Sequence, residues 1–336
     1  MATYKVVKLK SLTPLHIGTG RENYDFSSSE LHSDVISSAL AAMYAQQNKG
    51  EKVYDFLDSF ALSSAFPFWK GFYFFPKMQG RLNVKIEGKE EHEYRKKLKN
   101  IKFIEFSIWN KLIKGECVTV QNEQVRGNFV IPTTLISDEF DKEKIFISQV
   151  NERVTVARGD NGNATPFFFD WKYFSKDGGL FFLTQFNTSD NSIETKFNDA
   201  LSLLSEYGIG TDKNVGGGHF DFDTDEIELS ESEDADKFLL LSNYIPSKDE
   251  FSKMNINSSK YELILRNGFI AGSDNPNLRH LRKKSVYVFK TGSIISSTET
   301  PKGKIVNLRP EWNDIQLHDV YRSGKPICIK IKEGDL

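Results

Sequence analysis

The sequence predicts an α+β protein built from two related units, and three stretches of the chain support this. "TYKVVKLKSL" (3–12) mixes apolar and basic residues in the manner of a strand. "HSDVISSALAAMYAQ" (32–46) follows with apolar residues at helical spacing, and we expect Ser33 to cap that helix. "IETKFNDALSLLSEY" (193–207) is a second amphipathic helix. The second unit begins with a strand, "FLLLSNYIP", at residue 238, and the rest of the chain is rich in strands and poor in helices.

An acidic segment separates the two predicted units. The sequence "DFDTDEIELSESEDAD" (221–236) contains nine acidic residues and no basic one. Its beginning completes the short strand "HFDFD", and we interpret the rest as a solvated boundary segment. We therefore expect an N-terminal domain over residues 1–235 and a strand-rich C-terminal domain over residues 236–336.

Composition limits the possible classes of function. The chain has 44 Lys and Arg against 46 Asp and Glu, so any nucleic-acid binding must come from local basic patches. Cys117 and Cys328 are far apart in the sequence, which argues against a disulfide framework or a zinc–cysteine site and favours a reducing cytoplasm. The N-terminus does not resemble a signal peptide or an anchor, and no apolar run is long enough to span a membrane.

The segment "YGIGTDKNVGGGHFDFD" (207–223) is the most informative motif. Its glycines follow a helix and precede a strand, which is the reverse of the order in dinucleotide-binding loops, and it lacks the GK[ST] of a phosphate-binding P-loop. We therefore expect no cofactor. Five glycines still allow a ligand to approach the backbone, whose N–H groups can bind phosphates. The alternative is a tight connection that packs against the rest of the protein.

A long β-hairpin is predicted before the second helix. "KIFISQVNERVTVARG", a turn at "DNGN" (160–163) and "TPFFFDWKYF" form its two arms. Arg153, Arg158 and the cluster Phe167–Phe169 could grip single-stranded RNA by charge and stacking. The alternative for the three phenylalanines is core packing.

These motifs, taken in order, resemble the RAMP superfamily of CRISPR-associated proteins. "TPLHIGTG…HSDVISSAL" is similar to the first strand, glycine turn and helix of that superfamily, and "GIGTDKNVGGGHF" to its signature loop. "YELILRNGFIAG", "RKKSVYVFKTGSII", "KGKIVNL" and "HDVYRSGKP" extend the resemblance into the second half. It implies two ferredoxin-like, RRM-type βαββαβ units with a long hairpin insertion that acts as a thumb between guide and target RNA.

The ordered set looks like the Cas5-like subunit of a type III-A Csm effector complex. Such a subunit holds the 5′ repeat-derived tag of the crRNA, docks the large polymerase-like subunit and contacts an adjacent RAMP backbone subunit, while target RNA is contacted indirectly. The basic groups of the C-terminal half could instead face a partner subunit. The predicted RNA-binding residues are His16, Gly18, Gly20, Arg153, Arg158, Lys213, Asn214, Gly216, Gly217, Gly218, His219, Arg282, Lys283, Lys284, Arg322 and Lys325.

No catalytic constellation is evident, and we expect no enzyme activity and no metal site. His16 could act as a general base, but no second catalytic acid or base accompanies it. Asp34 occupies a position similar to that of the target-cutting acid in RAMP backbone subunits, and helix capping is the alternative. The dipeptide at 318–319 lacks the further ligands of an HD phosphohydrolase. Two other functions stay open: a metal-independent RAMP endoribonuclease that uses His16 or His219 to process guide RNA, and a protein-docking scaffold.

Overall fold

The computed structural model describes residues 2–18, 24–137, 140, 144–156, 164–187, 190–232, 235–270, 273, 278, 281–311 and 317–332. Gly20, Arg158 and the predicted turn at 160–163 lie outside these residues. The helices are α1 (Ser33–Gln47), α2 (Val53–Asp58), α3 (Glu91–Asn100), α4 (Phe106–Ile113), α5 (Asn191–Tyr207) and α6 (Lys248–Lys253).

The strands of the N-terminal part are β1 (Ala2–Lys10), β2 (Phe60–Leu62), β3 (Phe66–Trp69), β4 (Phe72–Pro76), β5 (Val84–Ile86), β6 (Phe103–Glu105), β7 (Val118–Val120), β8 (Val125–Arg126), β9 (Phe129–Val130), β10 (Phe146–Val156), β11 (Ala164–Phe174), β12 (Gly178–Phe186) and β13 (Asp221–Leu229). Those of the C-terminal part are β14 (Lys237–Leu240), β15 (Met254–Lys260), β16 (Leu263–Arg266), β17 (Val286–Phe289), β18 (Ile294–Ser297), β19 (Ile305–Asn307), β20 (Tyr321–Ser323) and β21 (Cys328–Ile331).

The largest sheet has its strands in the order β13–β1–β12–β3–β4–β6–β9–β8, with β2 beside β12. Its central strands are apolar on both faces, which is why they are buried between two cores. Val6 of β1 belongs to one apolar cluster, whereas its neighbour Val7 belongs to the other, and neither is exposed. Helices α1 and α5 pack together on the Val7 side of the sheet. The α+β class predicted from the sequence is thereby confirmed.

The C-terminal part adds a four-stranded sheet in the order β15–β18–β14–β21 and two short hairpins, β16–β17 and β19–β20. Leu239, Ile294 and Ile329 of that sheet belong to the same apolar cluster as Val6. The core therefore continues from the N-terminal into the C-terminal part. Within the described ranges, no helix is long and apolar enough to cross a membrane.

The acidic segment differs from the predicted boundary between domains. Residues 221–229 do not form a solvated boundary but the edge strand β13, which pairs along its whole length with β1. The register places β1 lysines among these acids, and Lys8 and Lys10 form ion pairs with Asp225 and Asp223. The sequence pattern of β13 alone did not reveal this, because its partner lies more than 200 positions away.

The start of α1 also differs from the prediction. His32, not Ser33, is the residue that precedes the helix, and no side chain caps it. The Ser33 hydroxyl instead accepts a hydrogen bond from the backbone N–H of Asn243, 2.9 Å away. Ser33 therefore joins the helix to the C-terminal part of the chain.

The predicted hairpin is confirmed. Strands β10 and β11 pair over eleven residues each, with Arg153 opposite Phe167. Both arms reach beyond the large sheet, and their distal residues are mostly exposed. Helix α5 also ends as expected, because Gly208 follows it with a φ of 84°, a conformation that favours glycine.

Candidate functional site

A cleft of about 940 Å³ lies between the N-terminal and C-terminal parts of the chain. One wall is formed by α1, by the turn after β1 and by the glycine loop, which we define as residues 207–219. The other wall is formed by residues 266–269, Lys283 and residues 318–322. The cleft therefore depends on elements from both halves of the sequence.

Four large aromatic side chains line this cleft and remain exposed. Their exposed fractions are 49% for Tyr24, 42% for Tyr54, 43% for Tyr207 and 46% for Phe269. Folding ordinarily buries such rings, so several that converge on one cleft indicate a surface for ligand stacking. None of the four was predicted from the sequence, because they come from four separate segments and share no motif.

Cationic side chains accompany the rings. Lys52, Lys213, Lys283 and Arg266 line the cleft, and the Lys213 ammonium lies 4.3 Å from the centre of the Tyr207 ring. Burial, together with the nearby Arg266 guanidinium, lowers the pKa of Lys283 to about 8. Because an anionic ligand would favour the charged form of Lys283, the cleft is suited to phosphate groups.

Most glycines of the glycine loop are required by contacts within the chain. A Cβ on Gly218 would lie 1.8 Å from the Ile209 carbonyl oxygen, and one on Gly210 would lie 2.5 Å from the His16 carbonyl oxygen. A Cβ on Gly217 would lie 2.6 Å from the Trp171 ring, whereas one on Gly216 would meet no atom within 4 Å. The close approach that the sequence predicted is therefore made largely by the protein itself, and besides Tyr207 the exposed part of the loop is residues 214–216.

Arg153 joins the hairpin to this loop. Its guanidinium forms an ion pair with Asp212 and lies 4.5 Å and 5.2 Å from the ring centres of Phe169 and Trp171. Phe169 is buried and Phe167 is partly buried, whereas Phe168 is 56% exposed. Of the predicted phenylalanine cluster, only Phe168 thus presents most of its ring to solvent.

The two predicted histidines occupy different environments. His16 is buried, with Nδ1 2.8 Å from the Asp170 carbonyl oxygen and its ring 4.4 Å from that of Phe169. His219 is partly buried, and its backbone N–H donates to the Thr13 hydroxyl. His16 and Gly18 line the cleft, whereas His219 is not among its lining residues.

Asp34 lies at the cleft floor in a buried ionic network. Its carboxylate pairs with Arg322 and with the Arg266 Nε at 3.0 Å, and it accepts a hydrogen bond from the Asn243 amide at 3.0 Å. These partners come from the C-terminal part of the chain. The expected helix-capping role is absent, and the network connects α1 to β16 and β20.

The remaining predicted basic residues are spread over the C-terminal part. Lys284 pairs with Glu311, Lys325 pairs with Asp58, and the Arg282 guanidinium lies 5.1 Å from the Phe269 ring centre. Of the C-terminal set, the structure brings Lys283 and Arg322 into the cleft. In the part of the chain that the structure describes, no cluster of His, Cys, Asp and Glu could hold a metal ion.

Comparisons with known proteins agree with this architecture. Residues 233–331 match the family model of the CRISPR Csm4 C-terminal domain. A Csm4 protein of Streptococcus thermophilus is 26% identical and covers 98% of this chain and 99% of its own length. One from Methanocaldococcus jannaschii is 22% identical over 96% of each chain.

Solved structures give the same fold. A chain in the crystal structure of a Csm3–Csm4 subcomplex from a type III-A interference complex matches with a TM-score of 0.65 at 18% identity, covering 98% of this chain and 99% of that one. A chain in a Csm1–Csm4 cassette with cA4 matches with a TM-score of 0.62 at 16% identity, covering 100% of both.

These findings make the chain similar to subunits of type III CRISPR complexes. Within that class, the family-model match and the curated relatives support a Csm4 subunit.

Proposed function

We propose that this chain is a non-catalytic subunit that holds the 5′ repeat-derived tag of a crRNA in the cleft between its two halves. The observation that carries the proposal is the convergence of exposed aromatic rings and lysines on one cleft: Tyr24, Tyr54, Tyr207 and Phe269 with Lys52, Lys213 and Lys283. Single-stranded RNA is bound by this combination, since rings stack on unpaired bases and cations pair with the backbone.

The fold supports the same proposal. The order β13–β1–β12–β3, with α1 and α5 together on one face, is the order expected for a ferredoxin-like βαββαβ unit whose successive strands are β1, β3, β12 and β13. We infer that this unit presents the glycine loop, between α5 and β13, to the RNA. The C-terminal sheet would be a second, more divergent unit.

Relatives indicate the partners. Proteins similar to this chain form subcomplexes with Csm3 and with Csm1. We propose corresponding contacts here: a large polymerase-like subunit on one side and a RAMP backbone subunit on the other, within a cytoplasmic effector complex. The exposed hairpin β10–β11 would act as the thumb and meet target RNA only indirectly.

Catalysis by this chain is not part of the proposal. Asp34 is held by two guanidinium groups, and the Nδ1 of buried His16 is committed to a backbone carbonyl. A guide-processing ribonuclease would use His16 or His219, and the partly buried His219 is not among the residues that line the cleft. Incubation of the purified chain with repeat RNA and EDTA should therefore leave the RNA intact, and a 2′,3′-cyclic phosphate end would overturn this point.

Ultraviolet crosslinking tests the RNA site directly. The chain would be coexpressed with its neighbouring subunits and a repeat array, and crosslinked peptides would be sequenced. We expect crosslinks from Tyr54, Tyr207 or Phe269 to the 5′ tag, and Tyr207→Leu should remove those at that position. Tag crosslinks confined to surfaces outside the cleft would refute the proposal and favour a docking scaffold.

Salt dependence gives a second readout. Lys213→Ala should reduce the magnitude of the slope of log affinity against log salt by about 0.7, the value for one phosphate contact to a single strand. Lys111→Ala, on the exposed side of α4, removes the same charge away from the cleft and serves as the control. Equal slopes for the two variants would contradict a phosphate contact at Lys213.

A further inference from the structure

A second, smaller cavity of about 250 Å³ lies on the other side of the start of α1. His32 lines this cavity, whereas Asp34, two residues further on, lines the cleft described above. The other walls are the end of β4 with residues 77–80, residues 99–103 and Lys290 with Thr291. The two cavities have no lining residue in common.

Positive charge dominates the lining of this second cavity. Lys77, Lys99, Lys102 and Lys290 face one acidic side chain, that of Glu30. Glu30 lies 3.3 Å from the Lys290 ammonium, and Lys290 also pairs with Glu262 outside the cavity. Among the described residues, no carboxylate pairs with the other three lysines. An uncompensated cluster of this kind attracts an anion.

Two of these lysines are positioned by the fold. Lys77 Nζ donates to the Leu98 carbonyl at 2.9 Å, and Lys102 Nζ donates to the Ser29 hydroxyl at 3.2 Å. Burial lowers the pKa of Lys77. Each ammonium retains further N–H donors, because a lysine carries three.

His32 provides an independent observation that points to a ligand. Its side chain is 9% exposed, and Nδ1 is buried without a hydrogen-bond partner among the described residues. Buried polar atoms in folded proteins are rarely left unpaired. Burial and then Arg266 lower the pKa of His32 to about 3, so the ring is neutral, with Nε2 3.7 Å from Glu30. An anion in the cavity would oppose both effects and favour the protonated ring, in which Nδ1 carries a hydrogen that it can donate.

We propose that this second cavity binds a phosphate group, carried either by a nucleotide or by a nucleic-acid strand. Lys99 and Lys102 are exposed at its mouth and would attract the ligand, while Lys77 and His32 would contact its oxygens from within. Lysine ammoniums bind phosphate as point charges and form short, charge-assisted hydrogen bonds with it. The site is separate from the cleft, so it does not depend on the proposed binding of the crRNA tag.

The test uses the full-length, RNA-free chain with ¹³C-labelled histidine. Adenosine 5′-monophosphate, hexauridylate and, as the phosphate-free probe, adenosine are titrated while the imidazole signals are followed by NMR, with His32 assigned from His32→Gln. We expect the His32 signal to shift with phosphate-bearing probes and not with adenosine. A response to the mononucleotide identifies a nucleotide site, and a response to hexauridylate alone identifies a strand.

Matched variants test whether the lysines of this cavity bind the phosphate group. Lys99→Gln with Lys102→Gln should weaken binding, followed by the His32 signal, about tenfold. Lys96→Gln with Lys114→Gln removes the same charge from exposed positions outside the cavity and should leave binding nearly unchanged. A His32 signal that no phosphate probe moves, or equal weakening by both pairs, would overturn the proposal.

Discussion

At the scale of single residues, substitutions in the glycine loop distinguish a packing role from a role in ligand contact. Gly218 has a φ of 71° and no room for a Cβ, whereas Gly216 has a φ of 86° and open space around it. Gly218→Ala should lower the free energy of unfolding by more than about 3 kcal/mol, because it combines a backbone clash with a left-handed conformation. Gly216→Ala meets the conformational cost alone, about 1–2 kcal/mol.

Chemical denaturation of both variants checks this difference. Gly216→Ala also tests RNA binding, since it changes an exposed part of the same loop. A well-folded Gly216→Ala that loses crRNA would indicate direct backbone contact there. Equal destabilisation by the two substitutions would contradict the packing explanation.

The Asp34 network supports a second prediction at this scale. Asp34→Asn keeps the shape of the side chain but leaves the buried Arg322 and the largely buried Arg266 without their carboxylate. Breaking a buried ion pair from one side costs about 3–5 kcal/mol, so a loss of that size in the free energy of unfolding is expected. Asp55→Asn, at an exposed position of α2, should change stability by less than about 0.5 kcal/mol. A catalytic Asp34 would behave differently: its substitution would abolish RNA cleavage and preserve stability.

At the scale of elements, the hairpin β10–β11 depends on one arginine. Arg153 stacks on Phe169 and Trp171 and pairs with Asp212, so it connects the hairpin to the glycine loop. Arg153→Met should remove about 1–2 kcal/mol of local stability. Amide hydrogen exchange over 146–156 and 164–174 should then become roughly tenfold faster.

Two variants control this experiment. Glu152→Gln alters the same strand on its opposite face and should leave exchange unchanged. Arg153→Lys keeps the charge but loses the planar group, so we expect only partial recovery. Exchange rates in Arg153→Met that match the wild type would show that the hairpin is anchored by other contacts.

Local patterns predicted the elements well where the signal was itself local. The periodicity of α5 and its glycine cap lie within short windows, and both predictions are confirmed, as is the pairing of the two hairpin arms. Only the beginning of β13 was predicted as a strand, because the acids that continue it are compensated by lysines of β1, a distant part of the chain. The glycine count indicated a close approach but not the approaching group, which proved to be largely the chain's own backbone and Trp171.

At the scale of the whole molecule, the cleft could not be predicted from sequence. Its rings come from positions 24, 54, 207 and 269, and only tertiary packing places them together. The Asp34 network and the shared apolar core join the same two halves, so cleft geometry and global stability depend on one set of contacts. Variants in that network are therefore expected to affect RNA binding through folding, whereas Lys213 and Lys283 variants should affect it without a loss of stability.

Loss of a phosphate contact can be distinguished from loss of folding at Lys283 by changing the pH. Its pKa in the folded chain is lowered to about 8 from its ordinary value of 10.5, so folding disfavours the charged form, and stability contributed by this group rises as pH increases from 8 to 10.5. Binding of RNA phosphates has the opposite sign, because it requires the cation. Between about pH 7 and pH 9, we expect the wild-type salt slope to fall by up to about 0.7 as Lys283 loses its proton.

A comparison of two lysine variants tests whether Lys283 is the titrating group. Lys283→Met should show, at both pH values, the lower slope that the wild type reaches near pH 9, whereas Lys213→Met should have a reduced slope yet keep the pH dependence. Fluorescence anisotropy with a labelled tag RNA, in a series of salt concentrations at each pH, measures both. If Lys283→Met retains the full pH dependence, the titrating group lies elsewhere, and the C-terminal wall of the cleft does not supply the phosphate contact that its position indicates.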